Sequence, residues 1–435
     1  MTVEEYPFSE LLSVVIDNRG KTCPTADSGI PLIATNCIRN EQLYPTYDKV
    51  RFVSHETYSN WFRGHPLPGD IIFVNKATPG RVCLVPDPVD FCIAQDMVAV
   101  RANSKRVYPN YLFAVLRSQA VQEKISQMHV GTLIPHFKKG DFDKLLLPVP
   151  ERNIQEFIGD TYFTLSAKIE LNRRMNATLE AMARALFQSW FVNFDPVRAK
   201  IDGRQPVGMD EATAALFPDS FDETELGHIP HGWITTTLGE ICEKGGGNIQ
   251  TGPFGTQLHA SDYVDEGIPS IMPSDLRDNR IETSSIARIR EEDAERLKVY
   301  RVQAGDVVYS RRGDVERRAL IRRSENGWLC GTGCLRVRFG PRGLNPFFGA
   351  SYLGTLDSRA WVVRHAVGAT MPNLNTAILG ALPMVVPPPE IQARFAEIVG
   401  QWDECGTIAL HQSRTLATLR DTLLPKLLSG ELSIN

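Results

Sequence analysis

Two long stretches of the chain place apolar residues alternately four and three positions apart, which is the spacing of a coiled-coil helix. Pro425 should end the second stretch, because proline lacks the N–H that a helix interior needs. The first seam, within about 153 to 192, is Ile158, Tyr162, Leu165, Ile169, Asn172, Asn176, Leu179, Ala183, Leu186 and Trp190. The second seam, within about 390 to 424, is Phe395, Ile398, Trp402, Cys405, Ala409, Gln412, Leu416, Leu419 and Leu423. Two such helices in one chain predict an antiparallel pair.

Two asparagines interrupt the first seam near its middle. In an antiparallel pair, Asn172 and Asn176 would lie close to Ala409 and Gln412, and buried polar residues at such positions can fix the register. The first helix would be roughly 60 Å long at 1.5 Å per residue. This length favours a rigid spacer, and an ordinary packed helical hairpin is the alternative.

The rest of the chain consists of short β-type runs between turns rich in Gly, Pro and Asp, and its pattern occurs twice. Four blocks recur in the same order at offsets of 236 to 238 residues, which indicates a tandem duplication. The blocks are Gly29-Ile30-Pro31 with Gly267-Ile268-Pro269, Pro68-Gly69-Asp70 with Ala304-Gly305-Asp306, Gly131 and Pro135 with Gly368 and Pro372, and Pro150 and Gln155 with Pro387 and Gln392.

These patterns predict an α+β protein with two similar mixed α/β domains separated by two long antiparallel helices. The boundaries are a first domain at 1–150, a central helix at 151–194, a linker at 195–230, a second domain at 231–388, and a C-terminal helix and tail at 389–435. The linker is assigned because that stretch is rich in Pro, Gly and Asp and lacks apolar periodicity.

Composition and motifs exclude several classes of protein. With 43% hydrophobic and 23% charged residues and no apolar run of membrane length, the chain should be globular and cytoplasmic. Its eight cysteines lack the spacing of a zinc site, so no metal is expected. No phosphate-binding loop or dinucleotide fingerprint occurs. Asn345-Pro346-Phe347-Phe348 is one residue away from an adenine methyltransferase motif but is expected to form a turn, and Gly245-Gly246-Gly247 a flexible loop. No catalytic residues are therefore predicted.

The two-copy plan resembles the specificity subunits of type I restriction–modification systems. The motifs that carry the resemblance are KIELNRR at 168–174, LEAMARALF at 179–187, SWFV at 189–192, FDPV at 194–197 and LLPKLLSGEL at 423–432. The resemblance covers essentially the whole chain. It implies two target-recognition domains related by an intrachain pseudo-twofold, each reading half of a split target in the DNA major groove.

The same resemblance implies partners and cofactors. Two methyltransferase subunits would dock on the helices and bring S-adenosylmethionine, while this chain would bind no cofactor; ATP-dependent restriction subunits are a further expected partner. Two other hypotheses stay open: a self-contained DNA-modifying enzyme with a degenerate site, and a structural coiled-coil adaptor. S-adenosylmethionine binding by the isolated chain would favour the first of these.

Charge suggests which residues contact DNA. Residues 1–150 carry 16 basic and 15 acidic residues and residues 231–389 carry 19 and 17, so the net charge of −4 arises in the helices and linker. Six of the thirteen residues 311–323 are arginines, which suit phosphates and guanine. The alternative is ion pairing with Glu291, Glu292 and Asp293. The predicted DNA contacts are Lys76, Arg81, His136, Lys138 and Lys139 in the first copy, and Arg311, Arg312, Arg317, Arg318 and Asn373 in the second.

Overall fold

A computed structural model describes residues 3–18, 21–128, 135–255, 257–277, 279–368 and 370–432. The chain forms two compact units. Unit 1 comprises Met1–Ala177 and Gly406–Asn435, and unit 2 comprises Thr178–Cys405. Each of the two long helices, α4 (Arg152–Phe187) and α12 (Pro389–Ser429), therefore supplies one part to each unit.

Unit 1 contains nine strands, three shorter helices and parts of α4 and α12 among its described residues. The strands are β1 Glu4–Pro7, β2 Leu12–Ile16, β3 Ile30–Ile33, β4 Arg51–Val53, β5 Ile71–Val74, β6 Val82–Leu84, β7 Cys92–Ile93, β8 Met97–Ala102 and β9 Leu146–Val149. The helices are α1 His55–Asn60, α2 Pro109–Arg117 and α3 Gln119–Met128, with 3-10 turns at Phe8–Leu11, Thr35–Cys37 and Lys139–Asp141.

Unit 2 contains fourteen described strands. They are β10 Phe221–Thr224, β11 Gly227–Pro230, β12 Ile234–Thr237, β13 Asn248–Thr251, β14 Tyr263–Val264, β15 Ile268–Ile271, β16 Leu276–Arg277, β17 Arg280–Ile281, β18 Ala287–Ile289, β19 Val307–Ser310, β20 Arg318–Leu320, β21 Leu329–Cys330, β22 Cys334–Arg338 and β23 Pro383–Val386. Its shorter helices are α5 Asp195–Ile201, α6 Glu211–Ala215, α7 Leu238–Gly245, α8 Glu291–Arg296, α9 Pro346–Tyr352, α10 Leu356–His365 and α11 Thr376–Gly380, and a π-helical turn, Gln188–Val192, ends α4.

The two units share one sheet topology. In unit 1 a four-stranded antiparallel sheet has the order β2-β8-β5-β6, and in unit 2 the corresponding order is β13-β22-β19-β20. A second sheet pairs β3 with β4 antiparallel and with β7 parallel, as β15 pairs with β18 and β21. The pairs β1–β9 and β12–β23 also correspond. The duplication read from the sequence is thus a duplication of strand order.

The repeated Gly-Ile-Pro glycines have a steric role. A Cβ on Gly29 would lie 2.3 Å from the carbonyl oxygen of Val53, and one on Gly267 would lie 2.2 Å from that of Ile289. In each unit the glycine therefore lets the strand that follows it approach its antiparallel neighbour, which no other residue would allow.

The repeated glutamines hold the start of each long helix. Gln155 accepts a hydrogen bond from the Tyr108 amide and donates one to the Pro150 carbonyl. Gln392 does the same with Asn345 and Pro387. Both side chains are about 95% buried, so these two hydrogen bonds satisfy groups that are removed from water.

The long helices pack antiparallel within each unit. In unit 1, the Asn172 side-chain amide donates to the Ala409 carbonyl at 3.2 Å and to Gln412 Oε1 at 2.9 Å, the neighbours that the seam predicts. In unit 2, the Phe187 and Phe395 ring centroids lie 5.6 Å apart. The seam positions Leu165, Ile169, Asn172, Asn176, Leu179, Leu186, Trp190, Trp402, Leu416 and Leu423 are all buried or half-buried.

Three of the nine positions predicted for the second seam are exposed. Cys405 and Leu419 are exposed, and Gln412 is exposed as well, although its side-chain oxygen binds Asn172. The buried and half-buried stripe runs through Ala409, Leu416, Arg420, Leu424 and Leu427. The stripe shifts because a strict seven-residue repeat drifts around a straight helix.

Pro425 does not end the second helix, which continues to Ser429. Leu427, two residues beyond the proline, is buried in the core of unit 1 together with Leu424. Burial of this side chain stabilises the helix beyond the proline and offsets the missing hydrogen bond.

The stretch 195–230 is folded instead of forming an extended linker. It contains α5, α6 and the hairpin of β10 with β11. Val197, Phe217 and Ile229 from this stretch are buried in the main core of unit 2. Its apolar residues are too widely spaced for a helical or strand period, so the sequence pattern did not reveal them.

Two further turn predictions are corrected. Gly245 ends helix α7, Gly246 caps it in the left-handed region, and β13 starts at Asn248, so the triple glycine is a tight helix–strand junction. Asn345 is the N-cap of α9, and its Oδ1 accepts a hydrogen bond from the Phe347 amide at 3.0 Å. Asn-Pro at this point starts a helix, as proline at a first helical position allows.

Candidate nucleic-acid interface

A buried aspartate holds one end of the main sheet in each unit. Asp70 precedes β5 and receives two hydrogen bonds from the Arg101 guanidinium, at 2.7 and 2.9 Å. Asp306 precedes β19 and receives the same two from Arg338, at 2.8 and 2.7 Å. Because both carboxylates are almost fully buried, the Gly-Asp landmarks of the sequence are structural and fix one end of a β-hairpin.

At the other end of the same sheet of unit 1, two loops cross. The segment after β5 forms a bridge between Lys76 and His136. The Phe137 amide donates to the Asn75 carbonyl at 2.8 Å, and the Ala77 amide donates to the Pro135 carbonyl at 3.0 Å. The backbone of the loop after β5 is therefore held by the loop that follows α3.

Unit 2 contains the same crossing with other side chains. Arg312 bridges Asn373, the Leu374 amide donates to the Arg311 carbonyl at 2.8 Å, and the Gly313 amide donates to the Pro372 carbonyl at 3.0 Å. We call these two arrangements the loop crossings of unit 1 and unit 2. Sequence positions 75–77 and 311–313 thus correspond in backbone geometry while their side chains differ.

The predicted contacts of unit 1 lie on or beside its loop crossing. Lys76 is exposed with its Nζ 3.9 Å from Asp96, and Lys139 is exposed with its Nζ 3.6 Å from Asp17. Arg81 and Lys138 are exposed and His136 is half-buried. A group of exposed cations at one end of a sheet is a surface that can neutralise phosphates. Residues 129–134, including Gly131, lie outside the described residues.

In unit 2, three of the four predicted arginines lie at or beside the loop crossing. Arg312 is exposed, Arg317 is half-buried and pairs with Asp314 at 2.8 Å, and Arg311 lies with its guanidinium carbon 6.0 Å from the Phe254 ring centroid. Arg311 Nε and Asn373 Oδ1 are buried without a hydrogen-bond partner. Such unsatisfied atoms are costly and are frequent where a ligand or water completes the site.

Arg318 turns inward, against its prediction as a DNA contact. Its guanidinium donates to the Ala350 carbonyl at 3.3 Å and occupies the space that a side chain at Gly354 would need. Burial lowers the pKa of Arg318, although a guanidinium stays charged. The reason is strand alternation: Arg318 begins β20 and shares a face with Leu320, which is buried in the main core of unit 2, whereas Arg317 lies on the preceding loop.

Two other polar side chains of unit 2 are structural. Arg322 binds Asp403 through Nε at 2.9 Å and Nη2 at 2.6 Å. Asn375 caps α11 by accepting a hydrogen bond from the Ile378 amide at 2.7 Å. The acidic residues proposed as alternative partners pair elsewhere: Glu291 with Arg301 and Asp293 with Arg296.

Sequence reasoning missed Phe254. Phe254 is 55% exposed on the loop after β13. The Thr332 hydroxyl donates to the Pro253 carbonyl of this loop, and the adjacent Gly333 carbonyl accepts a hydrogen bond from the Arg311 amide of the crossing. An exposed aromatic ring beside an arginine can make apolar contact with a thymine methyl group. Gly252-Pro253-Phe254-Gly255 is a turn signal, and an aromatic residue within it was the available clue.

The described residues show neither a metal-binding cluster nor a membrane-spanning helix. Within those ranges, no group of three or more His, Cys, Asp or Glu residues could hold a metal ion. Cys330 and Cys334, the pair with four-residue spacing, are buried free thiols, and burial raises the pKa of Cys330 to about 12. None of the helices built from described residues has the length and apolar character needed to cross a bilayer.

Comparison with known proteins identifies the family. Residues 9–181 and 230–420 match the model of the type I restriction modification DNA specificity domain, so the chain belongs to this family. It is 25% identical over 412 residues to the HindI specificity subunit of Haemophilus influenzae, covering 84% of this chain and 86% of that protein. It is 21% identical over 384 residues to the MjaIX specificity subunit of Methanocaldococcus jannaschii, covering 84% and 78%.

A solved structure agrees on the fold. The type I S subunit from M. genitalium matches 98% of this chain and 96% of its own length with a TM-score of 0.54 and 16% identity. The matched segments, the duplicated strand order and the two loop crossings define a DNA sequence-specificity subunit with two recognition domains.

Proposed function

We propose that the chain reads a split DNA target, one half with the loop crossing of unit 1 and the other half with that of unit 2, and that it carries no catalysis of its own. The observation that supports this most directly is the pair of loop crossings. The same backbone bridge presents Lys76 and His136 in one unit and Arg312 and Asn373 in the other. Equal geometry with unequal side chains is what two half-sites of different sequence require.

The crossings contain the chemistry for both kinds of DNA contact. Lysines and arginines neutralise phosphates, while an arginine fork pairs with guanine and an asparagine amide with adenine. Phosphate contacts by Lys138 and Lys139 and base contacts by Arg311 and Arg312 are consistent with their exposure or half-burial. With a net charge of −4, the isolated chain has a weak attraction for DNA, and a partner would supply the remaining positive surface.

We further propose that the partners are two methyltransferase subunits that bind S-adenosylmethionine and methylate adenine, joined in some complexes by ATP-dependent restriction subunits. The relatives are by name specificity subunits of type I restriction enzymes, and a subunit of an enzyme works together with other chains. The long helices supply residues to both units, and we propose that they also set the number of base pairs between the half-sites.

One experiment tests the reading of DNA. The chain is reconstituted with its methyltransferase subunit, and methylated adenines are sequenced in random DNA. One split sequence is expected. Replacing Arg311 and Arg312 with alanine should relax only one half-site, because each removed arginine–base interaction discriminates by about 1–3 kcal/mol. Relaxation of both half-sites, or no sequence preference in the parent complex, would contradict the proposal.

The spacer role has its own test. Seven residues inserted into α4 and seven at the facing position of α12 add about two helical turns while keeping each seam in phase. A complex that then accepts only a longer gap supports the role, and an unchanged gap rejects it. An insertion in α4 alone is the control, since it breaks the packing.

A further inference from the structure

In unit 2, an ion-pair cluster joins the recognition hairpin to the helix pair. Asp403 lies on α12, and both of its carboxylate oxygens accept hydrogen bonds from Arg322, at 2.6 to 3.1 Å. Arg280 Nη2 lies 3.5 Å from the same carboxylate, and Arg280 Nε lies 3.5 Å from Glu180 on α4. The side chains of Asp403, Arg322 and Arg280 are 10 to 18% exposed, so solvent screens the cluster only weakly.

The position of Arg322 in the fold suggests what this cluster does: it can fix the orientation of the hairpin. Arg322 follows β20, the second strand of the hairpin that carries the arginines of the loop crossing at its tip. The Ile321 amide donates to the Asp306 carbonyl at 2.8 Å, so Arg322 leaves the hairpin at its base. A contact at the base of a rigid two-stranded element determines where its tip points.

In unit 1 the residue that corresponds to Arg322 cannot form this ion pair. The Val85 amide bonds to the Asp70 carbonyl as Ile321 does to Asp306, which makes Pro86 the counterpart of Arg322. Nearby, the Tyr44 ring contacts α4 through Arg174, whose guanidinium carbon lies 5.3 Å from the ring centroid. The ion pair between the base of the hairpin and α12 is thus a feature of unit 2, since a proline cannot form it.

We propose that Asp403 is a positioning residue: by binding Arg322 and Arg280 it fixes the direction of the unit 2 hairpin relative to the helix pair, and so narrows the gap lengths that the protein accepts. This inference rests on the proposed reading of a split target. Asp403 lies on α12 and is not part of the loop crossing, so its replacement should leave the sequence of each half-site unchanged while it loosens the spacing between them.

The test uses the reconstituted methyltransferase complex and duplexes in which the two half-sites are separated by the preferred gap, or by one base pair more or fewer. For Asp403→Asn, the preference for the native gap should fall by about tenfold to a hundredfold, the scale on which a displacement of about 1 Å alters a positioned reaction. The bases required in both half-sites should stay the same. Asp421→Asn is the matched control, because Asp421 lies on α12 and pairs with Arg420 of the same helix at 2.8 Å.

The outcomes separate the possibilities. An unchanged gap preference in a folded Asp403→Asn complex, or relaxed bases in the second half-site, would overturn the positioning role. Should Asp403→Asn fail to fold in a thermal melt, Arg322→Lys keeps the charge with fewer hydrogen bonds and should give a smaller reduction of gap preference; a native preference in this variant also overturns the role. A parent complex without any split target would instead reject the proposed function itself.

Discussion

The two units form equivalent loop crossings on equivalent sheets, but corresponding residues are retained at some positions and differ at others. Asp70 and Asp306, Gln155 and Gln392, and Gly29 and Gly267 keep both their identity and their contacts. At the crossings, the backbone bonds are kept while the side chains change. Within this chain, residues that are the same in both units therefore hold the fold, and residues that differ are the candidates for DNA recognition. This distinction needs no other sequence.

The largest effect should come from the shared scaffold. Replacing Asp306 or Asp70 with alanine leaves an arginine without its buried partner and should lower the free energy of unfolding by about 3 kcal/mol. Urea unfolding of the complete chain measures this. Asp48→Ala is the control, because its pair with Arg39 is solvent-exposed on both sides and should contribute less than about 1 kcal/mol. Equal destabilisation by Asp48→Ala and Asp70→Ala would contradict the scaffold role.

Phe254 allows the two units to be tested separately, because its aromatic ring lies beside the loop crossing of unit 2. Phe254→Ala should weaken binding of the second half-site by about 1 kcal/mol and leave the first unchanged, since the substitution removes one apolar interaction with a thymine methyl group. Methylation rates on duplexes altered in one half-site measure this. Phe157→Ala is the control, as Phe157 is 45% exposed on α4. Equal weakening at both half-sites would show that Phe254 acts on folding alone.

Lys138 and Lys139 should act through phosphates. Replacing both with alanine should reduce the slope of log affinity against log salt by about 1.8, with base preference retained, because each phosphate contact contributes about 0.9. Titrations of the methyltransferase complex at several salt concentrations measure the slope. Lys105→Ala is the control: it follows β8, at the end of the sheet away from the crossing. A changed base preference would instead assign these lysines to base reading.

The smallest effect concerns the backbone at the crossings. Ala77 and Gly313 occupy corresponding positions with φ of 69° and 75°, a region in which alanine is strained and glycine is not. Ala77→Gly should stabilise the protein by about 0.5 kcal/mol, and Gly313→Ala should destabilise it by a similar amount, after the entropy of the unfolded chain is counted. Thermal unfolding of the two variants measures both signs. Effects of the same sign would show that the two crossings are not equivalent.

The sequence revealed the duplication, the long helices and the meeting of Asn172 with Gln412, because a fixed offset and a seven-residue period survive without structural knowledge. It did not reveal that Arg318 points inward. Successive side chains of a strand point to opposite faces, so the direction of Arg318 follows only when the first residue of β20 is known. The fold of 195–230 was hidden because its few apolar residues are buried against distant parts of unit 2. The DNA contacts themselves stay predictions, as charge alone does not choose between bases and phosphates.

Unit 1 is built from two separate segments of the chain, and this affects the order in which the protein can fold during synthesis. Its core combines Phe8 and Leu11 with Leu424 and Leu427, which are synthesised later than the whole of unit 2. Unit 2, in contrast, is one continuous stretch. A ribosome therefore releases all of unit 2 before unit 1 can close, and the earlier segment of unit 1 keeps its apolar face open until the second half of α12 has been made.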